Sequence, residues 1–257
     1  MAANNPIKVG ITGCAGRMGG LLVREILAGT DGLALAGGSE KTPPPDAKYF
    51  VTTSAPELFK QSDVIIDFTV PVATFVHARL AGEHKKPIVI GTTGLGPAEE
   101  KEIKAASTKV PIVYAANMSV GVNLLLALVE KAAARLGPDL FDIEVTETHH
   151  KHKKDAPSGT ALALGKAAAK GRGITLDPHP PADRNGERKP GTIGFSVQRG
   201  GDVVGEHTVS FFGAGERVSL THIASDRALF ARGALQAARW VVGQPPGLYS
   251  MRDVLGL

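Results

Sequence analysis

The stretch from residue 147 to residue 160, ETHHKHKKDAPSGT, holds the densest group of side chains that could do chemistry. Six consecutive histidine or lysine residues occupy positions 149–154. The repulsion among Lys151, Lys153, Lys154 and any protonated histidine must be offset by solvent or by a negatively charged partner. A histidine exchanges protons near neutral pH, and a lysine holds an anion or, when cationic neighbours lower its pKa, donates a proton. The run therefore predicts a site for a small, multiply charged acid.

The residues after this run predict a helix that adds positive potential to the same site. Pro157 favours an extended conformation for the residue before it, and Ser158 is a typical N-cap for an Ala-rich helix over residues 159–169. The backbone N–H groups near Gly159 and Thr160 would then point at a carboxylate or phosphate of the ligand. Gly159 has no side chain to keep such a ligand away.

Other interpretations of the cationic run stay open at this point. Most charge runs form a solvated face of a protein. A histidine-rich tract can bind a metal ion, although the adjacent lysines repel a cation and the single cysteine, Cys14, is far away in the sequence. Nucleic-acid binding has little support, because the chain is only mildly basic, poor in aromatic residues and without a recognisable motif. If the run is extended, His149, Lys151 and Lys153 share one side of the chain.

Length and composition are typical of a soluble globular protein with one large or two ordinary domains. The chain has 257 residues, of which 43% are apolar and 21% charged, and its formal net charge is +4. One cysteine excludes an intrachain disulfide, the N-terminal residues lack the features of a signal peptide, and no apolar run approaches the length of a membrane span. We therefore expect a cytoplasmic protein that does not enter a membrane.

The first half of the chain alternates short β-rich runs with helical patterns. Ser54 and Glu57 predict a capping box for a short helix, and Pro71 and Pro97 lie where first helical turns should begin. Such alternation predicts a doubly wound parallel sheet, whose ligands bind beyond the carboxyl ends of the strands. The predicted strands are 7–12, 33–37, 64–68, 88–90 and 112–115, with a first helix over 16–28.

The second half predicts a different architecture. Its predicted elements are a helix over 121–136, a strand over 141–148, strands at 191–199, 203–212 and 217–224, and a last helix over 226–242. Three successive strands without helices between them predict an antiparallel meander in an α+β domain. The alternation of Val209 and Phe211 with Ser210 indicates a covered face that could pack on another subunit.

A glycine-rich segment, GITGCAGRMG at positions 10–19, follows the first predicted strand. It departs from the strict G-x-G-x-x-G pattern because Ala15 replaces the second glycine. Its position between a strand and a helix would let the loop hold a pyrophosphate, as in a Rossmann-like domain, whereas the alternative is an ordinary tight turn. Glu40 is placed to accept a ribose 2′-hydroxyl or is merely solvated, and Lys41 with Arg17 could contact a 2′-phosphate. Glu40 and the neighbouring Lys41 together favour binding of both NADH and NADPH.

Two further predicted strand ends carry small or polar residues where a cofactor would lie. Each could be only a turn, but successive carboxyl ends of one sheet are more persuasive together. Because Cys14 lies in the glycine-rich segment, we expect alkylation of its thiol to inhibit the protein and bound cofactor to protect the thiol from alkylation. The candidate cofactor-binding residues are Gly13, Cys14, Ala15, Gly16, Arg17, Met18, Glu40, Lys41, Gly91, Thr92, Thr93, Ala115, Ala116, Asn117 and Met118.

Taken in order along nearly the whole chain, these motifs resemble the 4-hydroxy-tetrahydrodipicolinate reductase family of bacterial lysine biosynthesis. The histidine-lysine run followed by DAPSGT is the most specific part of the resemblance. The matching motifs are GCAGRMG at 13–19, GTTG at 91–94, AAN at 115–117, ETHHKHK at 147–153, DAPSGT at 155–160, PGTIG at 190–194 and GEHT at 205–208.

The resemblance implies an NAD(P)H-dependent reductase that removes the 4-hydroxyl of (2S,4S)-4-hydroxy-2,3,4,5-tetrahydrodipicolinate as water. It implies that His149 is a proton donor and acceptor, that Lys153 is its partner proton donor, and that a homotetramer forms through the second-domain sheet. No metal is implied. Residues 1–119 with 226–257 would bind the dinucleotide, and residues 120–225 would bind substrate and oligomerise. The implied substrate-binding residues are His150, Lys153, Ser158, Gly159, Thr160 and Thr93.

One departure from the family pattern concerns the adenosine site. The segment KTPPP after Glu40 is short, and Lys41 occupies a position where arginine is common, which weakens any bidentate phosphate contact. Two other functions compete with the reductase. A non-catalytic NAD(P)-sensing protein would not need His149 and Lys153, and an aspartate- or homoserine-type dehydrogenase gives no reason for the Ser158 cap beside the cationic run.

Overall fold

The computed structural model describes residues 5–29, 32–176 and 185–257. The strands in these ranges are β1 (Ile7–Thr12), β2 (Leu33–Ser39), β3 (Val51–Thr52), β4 (Val64–Asp67), β5 (Ile88–Ile90), β6 (Pro111–Tyr114), β7 (Phe141–His149), β8 (Ile193–Arg199), β9 (Gly205–Gly213), β10 (Glu216–Ala224) and β11 (Gly247–Tyr249). The helices are α1 (Arg17–Leu27), α2 (Ala55–Gln61), α3 (Pro71–His84), α4 (Pro97–Ser107), α5 (Val120–Arg135), α6 (Gly159–Arg172), α7 (Ala228–Val241) and α8 (Met251–Leu255).

The chain divides into two compact units. The first comprises residues up to Val120 together with Ala228–Gly256, and the second is built from Gly121–Arg227. In the first unit the strand order is β11-β6-β5-β4-β1-β2-β3, and every neighbouring pair is parallel. The predicted doubly wound sheet is therefore confirmed. Because the strands are parallel, the carboxyl ends of β1, β4, β5 and β6 lie along one edge.

Helices cover both faces of the first sheet. Leu22 and Ile26 of α1 and Leu235 of α7 pack on the face that carries Val9 and Ile66. On the opposite face, helices α2, α3 and α4 contribute their buried residues to a second cluster with Ile65, Ile88 and Ile112. Both faces of each central strand are thus buried, which explains why these strands are continuous apolar runs.

Two local predictions in the first unit differ from the structure. Ser54 is the N-cap of α2, but its side chain makes no cap hydrogen bond. Thr52 makes the hydrogen bonds instead: its hydroxyl donates to Glu57 Oε2 at 2.6 Å and accepts the Ser54 N–H at 3.0 Å. The predicted capping box is therefore wrong. Strand β11 was not predicted, because Gly247–Tyr249 is not a continuous apolar run like β5 and becomes a strand by pairing with β6.

The second unit holds a four-stranded mixed sheet in the order β10-β9-β7-β8. β7 and β10 each pair antiparallel with β9, whereas β7 and β8 are parallel. The predicted meander is wrong for its first strand, since β8 pairs with β7 and is separated from β9 by it. A parallel pair needs a long crossover connection, and the segment containing α6 supplies it.

The covered face of this second sheet packs on the chain's own helices. Val209 and Phe211 are fully buried in one cluster with Val145 and with residues of α5 and α6, such as Val129 and Leu164. The expectation that this face packs on another subunit is therefore wrong. The opposite face carries hydroxyl pairs across β9 and β10, Thr208 with Thr221 at 3.0 Å and Ser210 with Ser219 at 2.9 Å. Within the described ranges, no helix combines the length and apolarity needed to cross a membrane.

Candidate active site

The glycine-rich loop of the first unit joins β1 to α1. Gly13 adopts a φ of +67°, and its N–H donates to the carbonyl of Ser39 at 2.9 Å. A Cβ on Gly19 would lie 2.8 Å from the Cα of Cys14 and would also collide with the carbonyl of Gly13, so only glycine lets α1 approach the loop. The N-cap of α1, Gly16, has no side chain to satisfy the first-turn N–H groups. This end of α1 is suited to a phosphate.

Glu40 lies against this loop. Its Oε2 accepts the N–H of Ala15 at 3.2 Å, and its Oε1 accepts the N–H of Lys41 at 3.0 Å. The structure thus brings Glu40 to the glycine-rich loop, although Glu40 is 25 residues farther along the chain than Ala15. A carboxylate in this position can accept hydrogen bonds from a ribose hydroxyl and repels a second phosphate.

A cavity of about 420 Å³ lies at the carboxyl edge of the first sheet. This volume is within the range of small-molecule and cofactor sites. The candidate cofactor residues that line it are Arg17, Met18, Gly91, Thr92, Thr93, Ala116, Asn117 and Met118. Phe68, Thr69 and Phe230 complete the lining and were not predicted. Gly13, Cys14, Ala15, Gly16, Glu40, Lys41 and Ala115 are not among the lining residues of this cavity.

A buried carboxylate organises the residues behind this cavity. Asp67 is fully buried and accepts hydrogen bonds from the hydroxyls of Thr12 at 2.9 Å, Thr69 at 2.6 Å and Thr74 at 2.7 Å. Burial alone would raise the pKa of Asp67, but His77 and the hydroxyl donors outweigh it and the pKa is lowered. The carboxylate therefore stays ionised and ties the ends of β1 and β4 to α3.

Cys14 contributes its backbone to the loop but not its thiol. The side chain is 1% exposed, and burial raises the pKa of the thiol. A Cβ on Gly38 would collide with the Cys14 sulfur, so the thiol points at β2 in the core. This position contradicts the expectation of a reactive thiol at the cofactor site, because a buried, protonated thiol is a poor nucleophile.

The cationic run of the second unit turns after its first residue. His149 is the last residue of β7. The N–H of His150 donates to Val203 O at 2.8 Å, and the N–H of Lys153 donates back to His150 O at 3.1 Å. The chain therefore reverses over residues 150–153, and the alternation expected for an extended run is wrong beyond His149.

Helix α6 begins where the sequence predicts. Ser158 is its N-cap, and the Ser158 hydroxyl accepts the N–H of Ala161 at 3.1 Å. Gly159 and Thr160 form the first turn, and open space surrounds the position of a Cβ on Gly159. The positive end of the helix dipole therefore coincides with the only position in this turn that lacks a side chain.

Glu147 links this helix to the end of β7. It is 1% exposed, and its Oε1 accepts the N–H of Ser158 at 2.8 Å. Arg199 binds both carboxylate oxygens, at 3.0 and 3.1 Å, and its guanidinium also donates to Asp155 O at 2.7 Å. Glu147 Oε2 also forms a short hydrogen bond with His149 Nδ1. Burial would raise the pKa of Glu147, but Arg199, Ser158 and His149 lower it overall.

Two buried histidines lie beside each other at this point. The rings of His149 and His207 meet edge to face with centroids 5.0 Å apart, and His207 Nε2 lies 3.1 Å from the Ser158 hydroxyl. Burial, followed by the neighbouring charge of His149, lowers the pKa of His207 to about 4. Burial also lowers the pKa of His149; Glu147 opposes that shift, whereas Lys153 and Arg199 add to it.

Lys153 and His150 complete the group of predicted residues in this unit. Lys153 Nζ lies 2.9 Å from Asp155 Oδ1, and this ion pair lowers the pKa of Asp155. The Lys153 side chain is 20% exposed, so its charge remains accessible to a ligand. His150 Nε2 lies 3.5 Å from the Arg227 guanidinium.

Glu147, His149 and His207 also present ligand atoms within 4.8 Å of one another, as a metal site would. However, both oxygens of Glu147 are engaged by the Arg199 guanidinium, and this cation opposes a second one. The donor set suits proton exchange better than metal binding. The sequence interpretation assigned no role to Glu147, Arg199 or His207. The pairing of β7 with β8 and β9 sets His149 opposite Arg199 and Glu147 opposite His207.

Comparison with known proteins matches each half of the chain to one family. The model described as "Dihydrodipicolinate reductase, N-terminus" matches residues 7–118, and the one described as "Dihydrodipicolinate reductase, C-terminus" matches residues 121–255. The chain belongs to the dihydrodipicolinate reductase family. As a member of this family it is an oxidoreductase with a Rossmann-like NAD(P)-binding domain.

Individual members of the dihydrodipicolinate reductase family match this chain over nearly its full length. The 4-hydroxy-tetrahydrodipicolinate reductase of Parvibaculum lavamentivorans is 50% identical over 268 residues, covering 98% of each chain. The enzyme of the same name from Granulibacter bethesdensis is 48% identical over 262 residues, covering 100% of each. Among solved structures, dipicolinate-bound dihydrodipicolinate reductase from Paenisporosarcina sp. TG-14 has the same fold, with a TM-score of 0.82, 24% identity and coverage of 96% and 98%.

Proposed function

We propose that the protein reduces (2S,4S)-4-hydroxy-2,3,4,5-tetrahydrodipicolinate to tetrahydrodipicolinate and water with NADH or NADPH. The chain belongs to the dihydrodipicolinate reductase family, and the arrangement of side chains in its second unit is the observation that carries this proposal. There, His149 is anchored by a buried carboxylate, and an accessible Lys153 follows it in a turn before the capped start of α6. A proton-exchanging group, a cation and a helix N-terminus are what a dicarboxylate undergoing reduction requires.

The first unit has the features that a dinucleotide needs. The glycine-rich loop is a cradle that a Cβ at Gly19 would fill, and the N-terminus of α1 faces it. We assign the pyrophosphate to residues 13–18 and the remainder of the cofactor to Glu40, Lys41 and the strand-end residues 91–93 and 115–118. NAD(P)H supplies the hydride when bound. Because Lys41 follows Glu40, we infer that both nucleotides are used.

We assign the dicarboxylate to the start of α6 and to the cations before it. Gly159 and Thr160 offer the positive end of the helix, with Ser158 holding its first turn. Lys153 and His150 complete the substrate residues proposed in the second unit, whereas Thr93 lines the cavity of the first unit and its role in substrate binding stays a prediction. The relative from Paenisporosarcina was solved with dipicolinate, a planar ring with two carboxylates, which supports this class of ligand.

His149 and Lys153 are the proposed proton donors. Loss of water leaves a conjugated imine. Addition of hydride at C4 of this imine moves electron density toward the ring nitrogen. An acid must then supply a proton there. We assign this proton transfer to His149 Nε2 and Lys153 Nζ. Burial keeps His149 largely neutral before substrate arrives, whereas the two negative charges of the substrate favour its protonation.

We also propose a division of labour and an assembly. Residues 1–119 with 226–257 bind the cofactor, and residues 120–225 bind substrate and associate. The face that carries the Ser210–Ser219 and Thr208–Thr221 pairs is the proposed contact, since the opposite face is buried in the chain itself. Light scattering should give four times the chain mass of 26.7 kDa. The variant Ser219→Arg should dissociate the tetramer, and Thr108→Arg, on an exposed position of the other unit, should not.

The activity is tested by following absorbance at 340 nm with enzymatically generated substrate and each cofactor in turn. We expect oxidation of both NADH and NADPH that depends on the substrate. Oxidation of neither would contradict the proposal and favour a nucleotide sensor. NAD(P)⁺ reduction with aspartate or homoserine, but not oxidation with the dicarboxylate, would favour a dehydrogenase of that type.

A further inference from the structure

The Glu147 carboxylate is the most fully engaged acidic group of the second-unit site. Its two oxygens take four contacts, from the Ser158 N–H, from both terminal nitrogens of Arg199 and from His149 Nδ1. Four contacts are about the full acceptor capacity of a carboxylate. The bidentate guanidinium fixes the plane of the carboxylate, and the Ser158 N–H fixes its position along β7. Glu147 is thus held by three partners and serves as an acceptor.

This arrangement determines which nitrogen of His149 can react. An ionised carboxylate only accepts hydrogen bonds, so His149 Nδ1 carries its proton in both the neutral and the charged ring. The titrating nitrogen is therefore Nε2. A Cβ on Gly205 would lie 3.0 Å from Nε2, so the glycine at the start of β9 leaves space around this atom. Nε2 is therefore the ring nitrogen that borders the space left by Gly205.

The charges around His149 have opposing effects. Glu147 on its own strand favours the protonated ring. Lys153 in the turn, Arg199 on β8 and His207 on β9, when protonated, disfavour it, and the Asp155 carboxylate is paired with Lys153. Glu147 is thus the group within hydrogen-bonding distance that favours protonation of His149, against the effects of burial and of the neighbouring cations.

We propose that Glu147 is a positioning residue for His149, which selects the Nε2-reactive tautomer and holds the ring ready to take up a proton; Arg199 and Ser158 hold Glu147 in turn. This inference rests on the proposed function, since it assigns a role in the reductase reaction. Glu147 acts through His149 and does not itself contact the substrate.

The test uses Glu147→Gln in the full-length chain, with Glu144→Gln as a matched control. Glu144 lies on the same strand and also pairs with an arginine, Arg188, but on the opposite face of β7. Glutamine keeps the shape of Glu147 but neither holds a fixed Nδ1 proton on His149 nor stabilises its charge. We expect kcat at neutral pH to fall by about tenfold or more, and the His149 ring, followed by NMR, to titrate at lower pH. Glu144→Gln should change neither quantity.

Further measurements keep the outcomes distinct. Cofactor affinity and thermal unfolding show whether Glu147→Gln is folded; if it is not, Glu147→Asp, which retracts the carboxylate but keeps its charge, is measured in the same way with a smaller expected fall in kcat. Wild-type kcat, or an unmoved His149 titration, in a folded variant would overturn the positioning role. If the wild-type enzyme itself fails to oxidise either cofactor, the proposed function is what fails, whereas a shifted His149 titration would still be measurable.

Discussion

At the scale of single residues, His149 is surrounded by Glu147, Arg199 and His207, which lie on three different strands. The His149–Lys153 run and the Ser158 cap were predictable because their residues are adjacent in the chain. The partners of His149 come from three strands, and only the register of β7 with β8 and β9 sets them side by side. No local pattern signals that Arg199, fifty-two residues beyond Glu147, binds its carboxylate.

Cys14 gives a prediction at this same scale. Because the thiol is 1% exposed and its pKa is raised by burial, a thiol reagent should label the native protein slowly. Labelling with a chromogenic disulfide reagent should become fast and stoichiometric only after denaturation. Added NAD(P)H should have little effect on the native rate. Rapid native labelling that NAD(P)H blocks would restore the original expectation of a reactive thiol in the cofactor site.

At the scale of elements, the hydrophobic periodicity predicted the layers of strands and helices but not which strands pair with each other. The buried runs of the first sheet are continuous in sequence and packed on both faces, so their parallel order followed from alternation with helices. Strand β8 was assigned to a meander because the sequence between α6 and β8 carries no sign of where the chain returns. Pairing beside β7 is a tertiary choice, made by the α6 crossover.

The contact between α1 and the glycine-rich loop provides a test of element packing. Gly19→Ala should weaken NAD(P)H binding by at least about tenfold and lower stability, since the new Cβ would meet loop backbone at 2.8 Å or less. Gly20→Ala is the matched control, because its nearest neighbour would be 3.9 Å away, and should stabilise the helix by about 0.5–1 kcal/mol. Isothermal titration with NADH and denaturant unfolding measure both effects. Equal cofactor affinity in the two variants would contradict this packing.

At the scale of the whole molecule, buried histidines make stability depend on pH. The pKa of His207 is lowered to about 4, whereas an unfolded histidine titrates near 6.5. Between these values the unfolded chain binds a proton that the folded chain does not, so stability falls as pH decreases through this window. The pKa values of the Asp67 and Glu147 carboxyls are also lowered, so these groups add to the loss of stability as pH falls through and below the ordinary carboxyl range.

Denaturant unfolding at about pH 7 and pH 4.5 checks this dependence. His207 should account for a loss of at most about 3 kcal/mol on acidification. The variant His207→Gln keeps a group that can contact Ser158 but cannot titrate, and should show a smaller loss. Equal stability of the wild-type protein at the two pH values would contradict a buried, neutral His207.

In the proposed reaction, the second unit supplies the proton chemistry and the first unit supplies the cofactor site. Steady-state kinetics of His149→Ala and Lys153→Ala, combined with NADH titration of each variant, test this division of roles. We expect kcat to fall by about a hundredfold or more in each variant, while NADH affinity is unchanged. Wild-type kcat in both variants would contradict the proposed roles of His149 and Lys153.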